Sequence, residues 1–105
     1  MTIKDIKSEN FESDVLNSDK PAMLVFWAPW CGHCHNYKAL LETMEADPGS
    51  PDITVCRVNT DENTIFTTDM KISGIPTTCF YKDGALIDRR CGVLTKQDIL
   101  NIFDM

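Results

Sequence analysis

Two cysteines three residues apart, Cys31 and Cys34, with Gly32 and His33 between them, are the residues whose types and spacing can do chemistry. On a helix, residues three apart are surface neighbours with Cβ atoms roughly 5–6 Å apart, and a disulfide wants about 3.8 Å. A small tightening of the first turn closes that gap, so the pair can open and close reversibly. The chemistry is thiol–disulfide exchange, in which a thiolate attacks a disulfide sulfur. A free thiol ionises near about 8.5, and useful reactivity needs about 7 or lower. A helix amino end contributes about 0.3–1 kcal/mol toward an anion, with about 2 as a ceiling, which moves a pKa by well under about 1.5 units. Direct amide hydrogen bonds and His33, whose imidazole can be cationic near neutrality, must supply the remainder. Cys31 is therefore assigned as the attacking thiolate. Cys34 is the resolving thiol, which releases the mixed disulfide by attacking the sulfur of Cys31.

The elements that must position this pair are legible around it. An apolar run from Ala22 to Ala28 reads as a strand buried on both faces and stops at Pro29. Tyr37, Leu40, Leu41 and Met44 then recur at helical spacing, and that helix ends at Asp47-Pro48-Gly49. The cysteines thus fall between a strand's carboxyl end and a helix's amino end. Thr2 to Ile6 alternates as a first strand, followed by a helix near 11–17 with Phe11, Val15 and Leu16 inward. Ile53 to Val58 reads as a second buried parallel strand, and Asp61 as the cap of a short helix burying Ile65, Phe66 and Met70. Pro76 to Tyr81 and Ala85 to Cys91 are strands joined by an Asp83-Gly84 turn. Thr95 caps a last helix, 96–103, with Asp98 at its third position and Ile99, Ile102 and Phe103 inward. The order βαβαββα implies an α/β fold with a central mixed sheet and helices on both faces. Catalytic groups in such sheets gather beyond the carboxyl ends of the parallel strands, where the CxxC falls.

Composition sets the outer bounds. A length of 105 residues fits a single domain, 1–105, with a core that needs no disulfide staples. The net charge of −6 comes with no basic cluster, which argues against nucleic acid as a partner. No segment approaches the roughly 20 apolar residues of a membrane span, and the opening residues lack the apolar core of a signal peptide. Five cysteines, an odd number with three outside the motif, suit a reducing compartment and make cytoplasm the expected location. His35 completes a formal CxxCH, but covalent haem needs an axial partner and a haem-sized pocket. Zinc needs four converging ligands, and no second cysteine pair has that spacing. No cofactor and no metal are expected.

The run Phe26-Trp27-Ala28-Pro29-Trp30-Cys31-Gly32-His33-Cys34, with Gly74-Ile75-Pro76-Thr77 and Gly92 downstream, resembles the thioredoxin family over essentially the whole chain. Within it, the CGHC motif resembles protein disulfide isomerase active sites, whereas the Phe-Trp-Ala lead and the length resemble thioredoxins. The resemblance implies a thiol–disulfide oxidoreductase acting on protein disulfides and recharged by a reductase or oxidase. Taken alone, Pro76 is an ordinary proline at a strand's first residue. The resemblance instead implies a cis Ile75–Pro76 bond lying against the disulfide, with the Ile75 backbone pairing to an extended substrate. Trp30, Gly32, Ile75 and Gly92 then form the substrate surface.

Three positions depart from the family pattern. Val25 stands where related domains place a buried acid that takes the resolving cysteine's proton, which leaves deprotonation of Cys34 to water, His33 or His35. Arg57 falls where the family often keeps a lysine near that acid, and with the partner gone its guanidinium is expected at the surface. Val93 stands where isomerase domains carry an arginine, which disfavours efficient isomerisation. Cys91, counted back through a two-residue turn, is set opposite Pro76, as a third sulfur beside the site or simply a small buried residue. The former would let Cys91 take part in substrate binding or link a dimer of an otherwise monomeric protein. Cys56 and Cys79 read as inert core residues. A different class of function, a docking subunit whose cysteines are incidental, is favoured only by Val25.

Overall fold

Ala22–Trp27 and Thr54–Asn59 carry apolar side chains on both faces, and in the computed structural model, which describes all 105 residues, they lie side by side as parallel strands β2 and β3. Thr2–Asp5 (β1) pairs in parallel with the outer side of β3, and Thr77–Lys82 (β4) runs antiparallel to β2. Ala85–Cys91 (β5) returns along β4, so the five-stranded mixed sheet has the order β1-β3-β2-β4-β5. Helices Gly32–Ala46 (α1) and Lys96–Ile102 (α3) cover one face, and Thr64–Asp69 (α2) with the helical segment before β2 covers the other. The expected α/β architecture with helices on both faces is the one observed.

Two apolar clusters fasten these layers. On the α1 and α3 side, Met23, Val25, Val55 and Phe80 of the sheet pack against Tyr37, Leu41, Met44, Ile99 and Phe103. On the other side Leu24, Phe26, Cys56, Cys79 and Tyr81 pack beneath Val15, with Phe11, Phe66 and Met70 at the margin. The hydroxyl of Tyr37 is paired with Thr78 Oγ1 at 3.0 Å, and burial pushes the phenol up to about 12 against the opposing effect of that bond.

Several local expectations are corrected. The segment expected as a helix over 11–17 is a 3₁₀ turn at Ser8–Asn10 followed by a π-helical Glu12–Leu16, closed by Asn17 N–H donating to Glu12 O at 2.9 Å. Val15 is nevertheless buried as expected. Asp61 does not cap α2. The helix starts after Asn63, whose side chain accepts from Ser8 N–H and donates to Asn59 O, both at 3.0 Å. With that start, Phe66 and Met70 share the inward face four residues apart, and Ile65 points to solvent, 78% exposed.

The hairpin turn forms as expected, with Asp83 and Gly84 both at positive φ (53° and 79°) and Lys82 opposite Ala85. Beyond Tyr81 the register slips by one residue, so Phe80 faces Asp88 and Cys91 faces Thr77 instead of Pro76. The extra residue of this bulge is Ile87, and it turns every later side chain of β5 to the opposite face. Thr95 and Asp98 form the expected capping box at the start of α3.

Candidate active site

β2 ends at Trp27, and Cys31 is the N-cap of α1, so the pair lies just past the carboxyl end of a parallel strand. Cys31 and Cys34 are disulfide-bonded with Cα atoms 5.2 Å apart. Cys34 N–H donates to Cys31 Sγ at 3.2 Å, which points one otherwise unpartnered amide of the first turn at the sulfur assigned as nucleophile. Both cysteines are buried with Ala28, under the side chains of Trp27 and Ile75. The Ile75–Pro76 bond is cis, and the Ile75 carbonyl oxygen lies 3.9 Å from Cys31 Sγ. Gly92 N–H donates to Pro76 O at 2.8 Å and sits at φ 101°, a conformation other residues rarely adopt. Ile75 therefore lies at the disulfide, and Pro76 joins it to Gly92 through that bond.

Trp30 is 71% exposed, and its indole Nε1 donates to Asp61 Oδ1 at 3.3 Å. Asp61, expected as a helix cap, instead orients this indole, and its place 31 residues downstream leaves no local sequence signal. Together with Thr60, Thr67, Ile72, Ser73, Gly74 and Ile75, the indole lines an open groove of about 380 Å³. His33 is exposed on the first turn of α1, with Gly32 before it facing open space. His35 Nε2 donates to Pro29 O at 2.7 Å, a contact that straps the motif's preceding turn to the helix.

The departures resolve differently from expectation. Val25 is buried and sits opposite Arg57 in the β2–β3 ladder. The Arg57 guanidinium is not at the surface. Its side chain is 3% exposed, with Cζ 4.2 Å above the centre of the Trp27 ring and Nη1 3.2 Å from Asp5 Oδ1. Register explains this, because Asp5 stands opposite Arg57 in the β1–β3 ladder and supplies the counter-charge. Burial pulls the guanidinium below its usual value while Asp5 and Glu42 oppose that shift. The cation remains charged, stacked under the tryptophan that covers the disulfide.

Cys91 is exposed, contrary to the reading of a small buried residue, and it lies on the β5 face turned toward Gly74. Its Sγ stands 3.2 Å from where a Cβ on Gly74 would be. Cys56 and Cys79 are buried free thiols, and burial pushes Cys56 up to about 11 and Cys79 in the same direction. No group of three or more histidine, cysteine, aspartate or glutamate side chains is arranged to hold a metal ion. No helix is long and apolar enough to cross a membrane.

Comparison with known proteins agrees with this geometry. The family model described as Thioredoxin matches residues 2–105. The chain is 36% identical to a thioredoxin of Acidithiobacillus ferridurans, over 94% of this chain and 91% of the relative. It is 34% identical to thioredoxin 1 of Synechococcus elongatus, over 94% and 92% of the two chains. A thioredoxin of Rhodospirillum rubrum is 36% identical over 90% and 89%.

Proposed function

The chain belongs to the thioredoxin family and is a thiol–disulfide oxidoreductase, and from that premise we propose that Cys31 and Cys34 exchange dithiol and disulfide with protein substrates in a single 1–105 domain. The Cys31 thiolate attacks one sulfur of a substrate disulfide. A Cys31–substrate bond forms, the substrate bond breaks, and its second sulfur leaves as a thiolate that takes a proton from water. Cys34, once deprotonated, attacks Cys31 Sγ, closes the Cys31–Cys34 disulfide and expels the other substrate sulfur. Two electrons have then passed from the pair to the substrate. Running the sequence backwards oxidises a substrate dithiol, and the reductase or oxidase that recharges the pair sets the net direction.

The observation that carries this reading is the Cys34 amide aimed at Cys31 Sγ beside the Ile75 carbonyl and Pro76. Pro76 packs at the sulfur, the Ile75 backbone pairs with an extended substrate, and Trp30, Gly32, Gly92 and Cys91 border it. Val25 supplies no carboxylate and stands opposite Arg57 and Thr78, so Cys34 loses its proton to water or to a histidine of the helix's first turn. His33 stabilises the thiolate and hence the reduced form, which makes the disulfide more oxidising than with an uncharged residue there. Three free cysteines outside the pair support a reducing compartment, and cytoplasm is the location that fits them.

Insulin reduction by dithiothreitol, wild type against Cys31→Ser, tests the chemistry, with acceleration by wild type alone expected. Equal rates would leave the docking-subunit alternative. Cys34→Ser is expected to trap mixed disulfides with protein substrates through Cys31.

A further inference from the structure

We propose that Arg89 is a positioning residue for the substrate loop, acting as a clip that holds Ile72–Ile75 against the disulfide. The inference rests on the reading that this loop pairs with an extended protein substrate. Helix α2 ends in two reverse bonds, Lys71 N–H to Thr68 O at 2.9 Å and Ile72 N–H to Thr67 O at 3.1 Å. This closure forces Lys71 to φ 57°, where glycine is the usual residue and a side chain costs roughly 1–2 kcal/mol. The Met70 and Lys71 carbonyls are left pointing outward at the negative end of the helix. Arg89 Nη1 donates to Met70 O at 2.7 Å, and Nη2 donates to Lys71 O. One guanidinium thus ties the edge strand to the point where the substrate loop begins.

The loop's far end is fastened as well. Thr77 Oγ1 donates to Gly74 O, and Cys91 Sγ closes over Gly74. Between the fastened carbonyls of Lys71 and Gly74 lie only Ile72 and Ser73, and Ile75, the next residue, presents its carbonyl 3.9 Å from Cys31 Sγ.

The bulge at Ile87 makes the clip geometrically available. In an unbroken ladder Arg89 would face Thr78, whose hydroxyl meets Tyr37 on the α1 side. With the slip, Arg89 faces Cys79 and Cys91 faces Thr77, both on the α2 side, while Arg90 is sent to the other face with Asp88 and Asp98. The inserted residue therefore re-aims two side chains at the same loop.

Arg89→Ala is expected to raise the KM for a protein disulfide about tenfold, the scale of losing charged hydrogen bonds, with kcat held within about twofold. Reaction with a small disulfide such as oxidised glutathione should suffer several-fold less, and Arg89→Lys, which can reach one carbonyl, should recover part of the KM. Amide exchange at Lys71 and Ile72, whose N–H groups close the helix end that Arg89 holds, should accelerate about tenfold in Arg89→Ala. Equal losses for protein and small disulfide, an unmoved KM, or unaltered exchange at these amides would each overturn the clip. Inactivity of the wild type toward both substrates would refute the exchange chemistry instead, and amide exchange would still decide whether Arg89 restrains the loop.

Discussion

His33 and the five cysteines separate cleanly by environment. His33 is exposed one residue into the helix whose N-cap is Cys31, and its proposed effect on the thiolate is open to a direct test. His33→Ser should make the pair more reducing by on the order of 30 mV, read by equilibration with glutathione, because 30 mV is about 1.4 kcal/mol for two electrons. An unchanged potential would remove His33 from the mechanism. Cysteine reactivity should follow ionisation and access. In the reduced protein, iodoacetamide at pH 8 should take Cys31 first and the exposed Cys91 next, and mass spectrometry should find Cys56 and Cys79 labelled only after denaturation. Arg57 shows how a residue's setting can escape sequence reasoning. Its burial depends on an aspartate 52 residues earlier and on an indole from a third strand, and neither is adjacent in the chain.

Among the elements, α3 states its own boundaries. Thr95 Oγ1 accepts from Asp98 N–H at 3.1 Å and Asp98 Oδ2 accepts from Thr95 N–H at 2.9 Å. Thr95→Ala should cost about 1 kcal/mol in chemical denaturation. The hydrogen bonds from Thr95 hold the Asp98 carboxyl below its usual 3.8. The folded form thus favours the carboxylate, so this contribution is full above the unfolded pKa and is lost as pH falls through the folded one. Melting temperature should drop on acidification below about pH 4, and Asp98→Asn should flatten that acid limb. A pair three residues apart and an Asp-Gly turn are short-range signals, which is why α3 and the β4–β5 hairpin were legible in the sequence. Helix α2 was not, because its cap is an asparagine recruited by Ser8 from another segment. Nothing in Ala85-Leu86-Ile87-Asp88-Arg89-Arg90 marks the bulge, so the facing of Cys91 and Arg89 emerges only from the paired strands.

Over the whole molecule, the site draws on the margins of the sheet. The central strands β2 and β3 are each paired on both sides, whereas β1 and β5 have one neighbour apiece. Yet Asp5, which balances Arg57 under Trp27, belongs to β1, and Arg89 and Cys91 belong to β5. Outer strands exchange their amides through openings smaller than global unfolding. On mild warming or in low denaturant, disulfide reduction should therefore fall before far-ultraviolet circular dichroism reports loss of the core, with β1 and β5 exchanging ahead of β2 and β3. Coincident decay of all signals would contradict this ordering. Because the fringe of the fabric carries the fastenings, wear at the selvage should silence the catalyst while the weave behind it is still whole.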